Sequence, residues 1–385
     1  MARRRNVAIV GIGQTHHRQR RPDVNQVELV NEAVRAALED AGLRMGQIEA
    51  VLIGNMELFE GNYLVDMWQV DGSGAYLKSG MKITSGGTTG ATVAVAADHY
   101  VASGLFDTVL AIGYEKQEEG DTNAGLNAVA DPLWGRTMAS GAIGYFAFMG
   151  ANYMQQYGAT EEQAAKVRVK AARNALKNPY AHLKLSLTVQ DVLNSRLLAY
   201  PIKLLDMCPT SNGACALILA SEERAKRITD KPVWIMDTVT CHNEGYFGAV
   251  REGPSSLETA AGKLYQRNGI AHPRKELDLI ELYEPSTWAE LIWYEYLFLC
   301  ERGEGGKLIE QGATDLEGDI PVNPSGGVLS TNPIGATAMI RIAEAALQLR
   351  GDAGERQVAK AERALATAFG GSFWTVLTLL QKKLP

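Results

Sequence analysis

The chain has 385 residues, a formal net charge of −6 and four scattered cysteines without a CxxC pair. Its length predicts two core-forming units, and its acidic balance, without a basic face that carries interleaved aromatics, argues against a nucleic-acid partner. The cysteine pattern is typical of a reducing compartment without a structural zinc site, and no apolar run is long enough for a membrane span or a signal peptide, so we expect a cytoplasmic protein.

The first predicted elements follow an α/β pattern. Residues 6–13 (NVAIVGIG) form an apolar strand that ends in glycine, residues 27–42 an amphipathic helix, and residues 48–55 a second strand. The first strand is similar to the start of a dinucleotide-binding fold. However, GIGQTHH lacks the GxGxxG pattern, and no acidic residue follows at the required distance after a second strand, which argues against nicotinamide binding.

Residues 82–115 form the segment around which the remaining chain is organised. The pattern predicts an extended stretch, a glycine-rich turn with Gly87, a helix of small residues that ends at Gly104, and a buried strand. A helix with so little side-chain bulk can pack tightly in the centre of a protein. A helix N-terminus that faces a cleft can polarise an oxygen or a thiolate, so the turn has the shape of a nucleophile site, although it contains no cysteine.

The alternating pattern stops after residue 117. Residues 141–157 are rich in Met, Tyr, Phe, Asn and Gly, and residues 161–178 have a helical pattern. We therefore predict an insertion at about 117–205 that covers a cleft. A strand at 214–220 then closes the first half of the chain, for which we predict the bounds 1–225.

The second half, residues 226–385, repeats the organisation of the first. Residues 33–54 and residues 260–283 both run helix, glycine turn, polar spacer and strand at nearly the same length, as expected for a duplicated α/β unit. A second glycine turn at 322–338 leads into a helix, and two terminal strands form a hairpin around residues 370–371.

Five motifs occur in order along the chain: GYEK, CPTSNGACALILAS, ELYEPSTWAEL, NPSGGVLSTNPIGA and AFGGSFW. Together they resemble the thiolase superfamily, in particular its sterol-carrier-protein-type members and the cysteine-lacking, steroid side-chain-cleaving aldolases of the lipid-transfer-protein type. The resemblance covers almost the whole chain. It implies an α/β, thiolase-like fold of duplicated αβαβα layers, with two similar halves and an inserted loop and helical region in the first half.

The chain departs from thiolases at all four of their customary catalytic groups. By the resemblance, the acyl-accepting cysteine aligns with Gly87, and the late catalytic cysteine falls at about Ala368. The two oxyanion histidines align with Tyr283 and Asn332. A Claisen condensation through an acyl-cysteine is therefore disfavoured.

A pocket that stabilises an enolate without a nucleophile is suited to aldol cleavage. Tyr283 can donate a hydrogen bond from its phenol, and Asn332 from its amide, to a thioester oxygen. The aldolases that the chain resembles use tyrosines where thiolases have histidines, a pattern that Tyr283 matches and Asn332 does not. Tyr246, in a glycine-flanked loop, is a further candidate phenol, and Glu284 is a candidate base if burial raises its pKa.

We therefore predict an acyl-CoA aldolase, a carbon–carbon lyase that cleaves a β-hydroxyacyl-CoA with a bulky, steroid-like moiety and forms no covalent intermediate. The predicted substrate-binding residues are Ser85, Gly87, Thr88 and His242. Three alternatives stay open: a thiolase-like acyltransferase, such as an acetyl-CoA acetyltransferase, with Ser85 or Thr88 as a substitute nucleophile; an intact thiolase that relies on another cysteine such as Cys241; and a non-catalytic subunit that binds lipid or acyl-CoA.

The resemblance also implies the cofactors and partners. We expect no tightly bound cofactor and no metal, with coenzyme A as a part of the substrate. Family members of this type are commonly homodimers and often act with a small zinc-ribbon/OB-fold protein or a hydratase-linked domain of that kind.

Overall fold

The structure, a computed structural model, describes residues 5–61, 64–133, 135–136, 141–243, 254–370 and 374–384. Its strands are β1 (Val7–Gln14), β2 (Ala50–Gly54), β3 (Ser79–Lys82), β4 (Thr108–Lys116), β5 (Leu197–Ala199), β6 (Ile202–Lys203), β7 (Asn212–Ser221), β8 (Val233–His242), β9 (Leu279–Glu281), β10 (Arg363–Gly370) and β11 (Trp374–Gln381). Its α-helices are α1 (Gln26–Ala41), α2 (Val65–Trp68), α3 (Val70–Ser73), α4 (Thr89–Ala102), α5 (Thr122–Ala128), α6 (Gly141–Tyr157), α7 (Glu161–Leu176), α8 (Val189–Leu193), α9 (Glu222–Ile228), α10 (Ser256–Arg267), α11 (Pro273–Glu276), α12 (Thr287–Tyr296), α13 (Gly305–Glu310) and α14 (Ile334–Arg350). Within these described ranges, no helix has both the length and the apolar composition that a bilayer span requires.

The main sheet consists of two similar halves. In the described residues it has nine strands in the order β3-β2-β4-β7-β1-β8-β11-β10-β9. On one side β2 is parallel to β4, β4 is antiparallel to β7, and β7 is antiparallel to β1. The other side repeats these pairings with β9, β10, β11 and β8. The predicted α/β fold with duplicated halves is thereby confirmed.

The two halves meet over a short seam. Strand β1 pairs with β8 through only two residue pairs, Ala8↔Trp234 and Ile9↔Val233. The terminal hairpin of β10 and β11 completes the second half, and its turn residues 371–373 lie outside the described residues. Because the strand pairing across the seam is short, packing between the helices of the two halves contributes much of their contact.

Helices α4 and α14 pack against each other in the centre of the protein. A Cβ atom at Gly90 of α4 would lie 2.7 Å from the Met339 backbone nitrogen of α14, and a Cβ at Gly113 of β4 would lie 2.9 Å from the Gly335 carbonyl oxygen. These distances leave no room for a side chain, so the close approach requires glycine. The prediction of a tightly packed central helix of small residues is confirmed.

Strand β9 ends before Tyr283, earlier than the sequence pattern predicts. The backbone N–H of Leu282 donates to the side-chain oxygen of Asn323 at 2.7 Å, and the N–H of Tyr283 donates to Thr367 Oγ1 at 2.9 Å. Side chains thus replace a neighbouring strand as the hydrogen-bond partners. The chain leaves the sheet at this point, and the Tyr283 side chain reaches the turn before α4.

The insertion contains α5, α6, α7, α8 and the small β5–β6 sheet. Helix α6 packs on α12 of the second half, where a Cβ at Gly150 would lie 2.9 Å from the Trp288 ring. Helix α7 is joined to α12 by the buried Lys170, whose Nζ forms an ion pair with Glu290 and donates to Tyr294 Oη at 3.0 Å. These contacts hold the insertion over the end of α4. The exact bounds of the insertion and of the two halves stay predictions.

Candidate active site

A cavity of about 190 Å³ lies where the turn before α4, the end of β9 and the residues before α14 meet. Gly87 contributes from the turn, Tyr283 follows β9, and Asn332 precedes α14. The insertion supplies the opposite wall, which includes Tyr145 and Phe146 of α6. The fold therefore brings together three of the residues that the sequence singled out, and we call this space the central cavity.

Gly87 and Tyr283 share one small volume. A Cβ atom at Gly87 would lie 2.9 Å from the Tyr283 phenol oxygen and 2.3 Å from the Phe369 carbonyl oxygen. No side chain fits at this position without a shift of the backbone or of the phenol. The Tyr283 hydroxyl group therefore occupies the space that a cysteine side chain at position 87 would need.

The Tyr283 phenol is a buried hydrogen-bond donor. The side chain is only 3% exposed, and burial raises the pKa of the phenol far above its ordinary value. The hydroxyl group therefore stays protonated at neutral pH. Thr337 Oγ1 donates to Asn332 Oδ1 at 2.8 Å and so orients the amide of the second residue predicted to stabilise an enolate.

The Asn332 amide is held in one orientation. Its Oδ1 accepts from Thr337, while its Nδ2 donates to Cys208 Sγ at 3.2 Å. Its backbone N–H donates to Ser211 Oγ at 3.0 Å, and its carbonyl oxygen accepts from Gln117 Nε2 at 2.7 Å. Since the acceptor end of the amide is satisfied by Thr337, the donor end is directed toward the thiol and the central cavity.

Cys208 is a cavity residue that is not among the candidates predicted from the sequence. Its partly exposed side chain lines the central cavity together with Tyr283 and Asn332. Burial raises the pKa of the thiol to about 12, so the group is protonated at neutral pH. The signal available in the sequence was the motif CPTSNGACALILAS itself, which begins at this cysteine.

The Ser85 and Thr88 hydroxyl groups form hydrogen bonds within the turn and the first part of α4. Ser85 Oγ donates to Thr92 Oγ1 at 2.9 Å, and Thr88 Oγ1 donates to the Ser85 carbonyl oxygen at 2.6 Å. Neither residue is among the described residues that line the central cavity. The contacts described for these hydroxyl groups include no histidine or carboxylate base, so the geometry gives no support to activation of either as a nucleophile.

Three other predicted residues lie apart from the central cavity. Glu284 is fully buried, accepts from Asn323 Nδ2 at 2.5 Å and from the Leu329 N–H at 3.2 Å, and does not line the described part of the cavity. Burial, together with a neighbouring carboxylate, raises its pKa. His242 is exposed, and its ring lies against Trp374 with centroids 4.3 Å apart and ring planes tilted by 40°. Tyr246 lies outside the described residues.

Aromatic rings form much of the cavity wall. Phe369 lies 6.2 Å from Phe146 and 6.5 Å from Tyr145, measured between ring centroids, and it contacts Trp293 at 4.8 Å. This wall favours an apolar, ring-containing ligand. Across the ranges that the structure describes, no group of three or more His, Cys, Asp or Glu side chains is placed to hold a metal ion.

Comparison with known proteins agrees with this geometry. The family model described as "Thiolase, N-terminal domain" matches residues 7–187, and the model described as "Thiolase C-terminal domain-like" matches residues 254–383. An acetyl-CoA acetyltransferase of Methanothermobacter thermautotrophicus is 32% identical over 378 residues, which cover 96% of this chain and 97% of that protein. The chain belongs to the thiolase superfamily.

Two more similarities place this thiolase-superfamily chain more closely. Sterol carrier protein 2 of Bos taurus is 31% identical, with 99% of this chain and 73% of that protein covered. The solved structure of the Ltp2–ChsH2(DUF35) aldolase superposes with a TM-score of 0.84 at 26% identity and covers 100% of both chains. The family and the fold implied by the sequence motifs are confirmed.

Proposed function

We propose that this thiolase-superfamily protein is an acyl-CoA aldolase that cleaves a β-hydroxyacyl-CoA into a ketone and a shorter acyl-CoA. The observation that supports the proposal is the distance of 2.9 Å between the Tyr283 phenol oxygen and the position that a Cβ atom at residue 87 would occupy. Where the aligned thiolases carry their acyl-accepting cysteine, this chain has a hydrogen-bond donor. Such a cavity is equipped to stabilise an enolate rather than to form an acyl-enzyme at residue 87.

In the proposed reaction, the thioester oxygen accepts hydrogen bonds from the Tyr283 phenol and the Asn332 amide. Transfer of the β-hydroxyl proton to water in the cavity allows the Cα–Cβ bond to break, and the electron pair of that bond becomes the enolate. Negative charge then grows on the thioester oxygen, so both hydrogen bonds strengthen in the transition state. Each donor of this kind contributes about 3 kcal/mol to transition-state stabilisation. Protonation of the enolate carbon completes the reaction.

The substrate and partner are parts of the same proposal. The rings of Tyr145, Phe146 and Phe369 favour a bulky, apolar moiety next to the reacting carbons, and coenzyme A enters as the thioester. Since the structurally similar aldolase is named together with ChsH2(DUF35), we propose that this chain also acts with a small partner protein.

The test compares Tyr283→Phe with wild type on a panel of β-hydroxyacyl-CoA esters, with and without a zinc-ribbon/OB-fold partner protein, and follows ketone release by mass spectrometry. Tyr283→Phe removes one oxyanion donor and keeps the ring, so kcat/KM should fall about 100-fold while Tm changes little. Tyr265→Phe is the matched control, because this buried tyrosine donates to the Leu297 carbonyl oxygen at 3.3 Å, away from the central cavity.

Two outcomes would contradict the aldolase proposal. If Tyr283→Phe cleaved substrate as fast as wild type, the phenol would not be the oxyanion donor. If incubation with acyl-CoA added the mass of an acyl group to the protein, the reaction would pass through a covalent intermediate. That second result would favour an acyltransferase, the activity for which the archaeal relative is named.

A further inference from the structure

The Cys208 thiol lies beside both proposed oxyanion donors, in a position that the aldolase proposal leaves without a role. Its Sγ accepts a hydrogen bond from Asn332 Nδ2 at 3.2 Å and lines the central cavity with the Tyr283 phenol. A substrate whose thioester oxygen contacts Tyr283 and Asn332 therefore has its α-carbon within the space that the thiol also borders.

Backbone contacts fix this thiol relative to Tyr283. Met207 forms an antiparallel bridge with Ser286, and the Cys208 N–H donates to the Pro285 carbonyl oxygen at 3.0 Å. Residues 285 and 286 closely follow Tyr283 in the chain. The segment that carries the thiol is thus bonded to the segment that carries the phenol.

A second set of contacts fixes the same segment relative to Asn332. Ser211 accepts from the Asn332 N–H through Oγ at 3.0 Å, and its own N–H donates to the Asn332 carbonyl oxygen at 3.4 Å. Ser211 and Cys208 belong to one motif, CPTSNGACALILAS. A thiol held from two sides has the fixed position that proton transfer to carbon requires.

The state of the thiol suits an acid better than a nucleophile. Nucleophilic attack needs the thiolate, and burial keeps Cys208 protonated at neutral pH. A protonated thiol can, however, give its hydrogen to a much stronger base such as an enolate carbon. By the resemblance, the late catalytic cysteine of thiolases aligns with about Ala368, and an alanine side chain cannot donate a proton.

We propose that Cys208 is the catalytic acid that protonates the α-carbon of the enolate after carbon–carbon cleavage, an inference that rests on the proposed aldolase function. The S–H bond breaks and the new C–H bond forms at Cα. The side-chain amide N–H of Asn332 then stabilises the thiolate. Water in the cavity carries the proton released from the substrate hydroxyl group to the thiolate, so the thiol is restored and no net proton is gained or lost. In the reverse direction, water in the cavity takes the proton of the thiol, and the thiolate so formed removes a proton from the α-carbon of the product acyl-CoA.

The test measures exchange of the α-hydrogens of propionyl-CoA and acetyl-CoA in D₂O, by NMR and mass spectrometry, with the full chain. Exchange needs only the acyl-CoA half, so the ketone need not be identified. Cys208→Ala and Cys208→Ser should slow exchange about 100-fold, with acyl-CoA affinity within about twofold of wild type. Cys300→Ser is the matched control, since Cys300 is a partly buried thiol that does not line the described cavity, and its exchange should equal that of wild type.

Chemical modification of the thiol in the folded wild-type protein provides a second test, which applies even if a substitution at Cys208 disturbs folding. Treatment of folded wild type with methyl methanethiosulfonate should stop exchange when Cys208 is modified, and dithiothreitol should restore it. Full exchange by a protein whose Cys208 is blocked or replaced would overturn the role of the thiol while leaving the aldolase proposal intact. Absence of exchange in wild type would overturn both, because enolate chemistry itself would fail. An acyl adduct mapped to Cys208 would show a nucleophile and would also overturn the inference.

Discussion

At position 87 the backbone of the turn before α4 passes close to two oxygen atoms, the Phe369 carbonyl oxygen and the Tyr283 phenol oxygen. A side chain at this position would therefore require both the Phe369 backbone and the Tyr283 phenol to move. The two departures from thiolases that the resemblance implies at positions 87 and 283 thus concern groups that are neighbours in the structure.

Gly87→Cys should not restore thiolase activity. The Cβ atom would lie 2.3 Å from a backbone oxygen, and overpacking of a buried site typically costs about 1–3 kcal/mol. We expect a free energy of unfolding lower by roughly 2 kcal/mol in denaturant titration, together with no acyl-enzyme by mass spectrometry.

Gly262→Ala is the control for that substitution. A Cβ at Gly262 of α10 meets no atom within 4 Å, and alanine stabilises a helix interior by about 1 kcal/mol relative to glycine. A Gly87→Cys protein as stable as wild type, or one that formed an acyl-enzyme, would show that the Phe369 backbone and the phenol move aside readily and would contradict the steric restriction at position 87.

Among the elements, α6 contributes aromatic wall to the central cavity, because it carries Tyr145 and Phe146. Its position depends on α12, where the Trp288 ring lies against Gly150. Trp288 is fully buried, so it offers α6 a fixed surface. The wall is thus set by the contact between an inserted helix and a helix of the second half.

Gly150→Ala should disturb this contact between helices. The new Cβ would lie 2.9 Å from the Trp288 ring, so the protein should lose stability although alanine favours a helix. Displacement of α6 should raise KM for the acyl-CoA substrate several-fold more than it lowers kcat. Steady-state kinetics and thermal unfolding, with Gly262→Ala again as the control, measure both effects. A gain in stability with an unchanged KM would contradict the proposed dependence of the wall on this contact.

For the whole molecule, the open edge of the main sheet is the feature that bears on assembly. Strand β3 is one of the two edge strands in the described sheet, and it follows a segment that exposes 88% of Leu77, 71% of Tyr76 and 68% of Trp68. An unpaired edge strand next to apolar side chains favours association with another sheet. These features agree with the prediction of a homodimer, which stays a prediction.

Leu77→Lys should weaken this association. A charge placed at the edge of β3 would be buried in the interface, so light scattering after size exclusion should show a dimer for wild type and a larger fraction of monomer for the variant. Leu105→Lys is the control, since Leu105 is 64% exposed and lies in the turn between α4 and β4. A wild-type chain that is monomeric at micromolar concentration would contradict the prediction.

The sequence by itself determined the family, the duplicated α/β pattern and the identities of Gly87, Tyr283 and Asn332. Strand and helix periodicity, glycine turns and short motifs are local signals, and each is contained in neighbouring residues. The motifs therefore sufficed to single out Gly87, Tyr283 and Asn332 as candidate site residues, because these residues stand at fixed places within or before the motifs.

Only the tertiary structure decided which side chains share the central cavity. Cys208 faces Asn332 because hydrogen bonds between Ser211 and Asn332 join two segments that are distant in the chain. Glu284, one residue after Tyr283, lies outside the described cavity lining and bonds to Asn323 instead. Ser85 and Thr88, close to Gly87 in sequence, bond within their own turn. The direction of a side chain depends on packing and hydrogen bonds between distant segments, which no local pattern encodes.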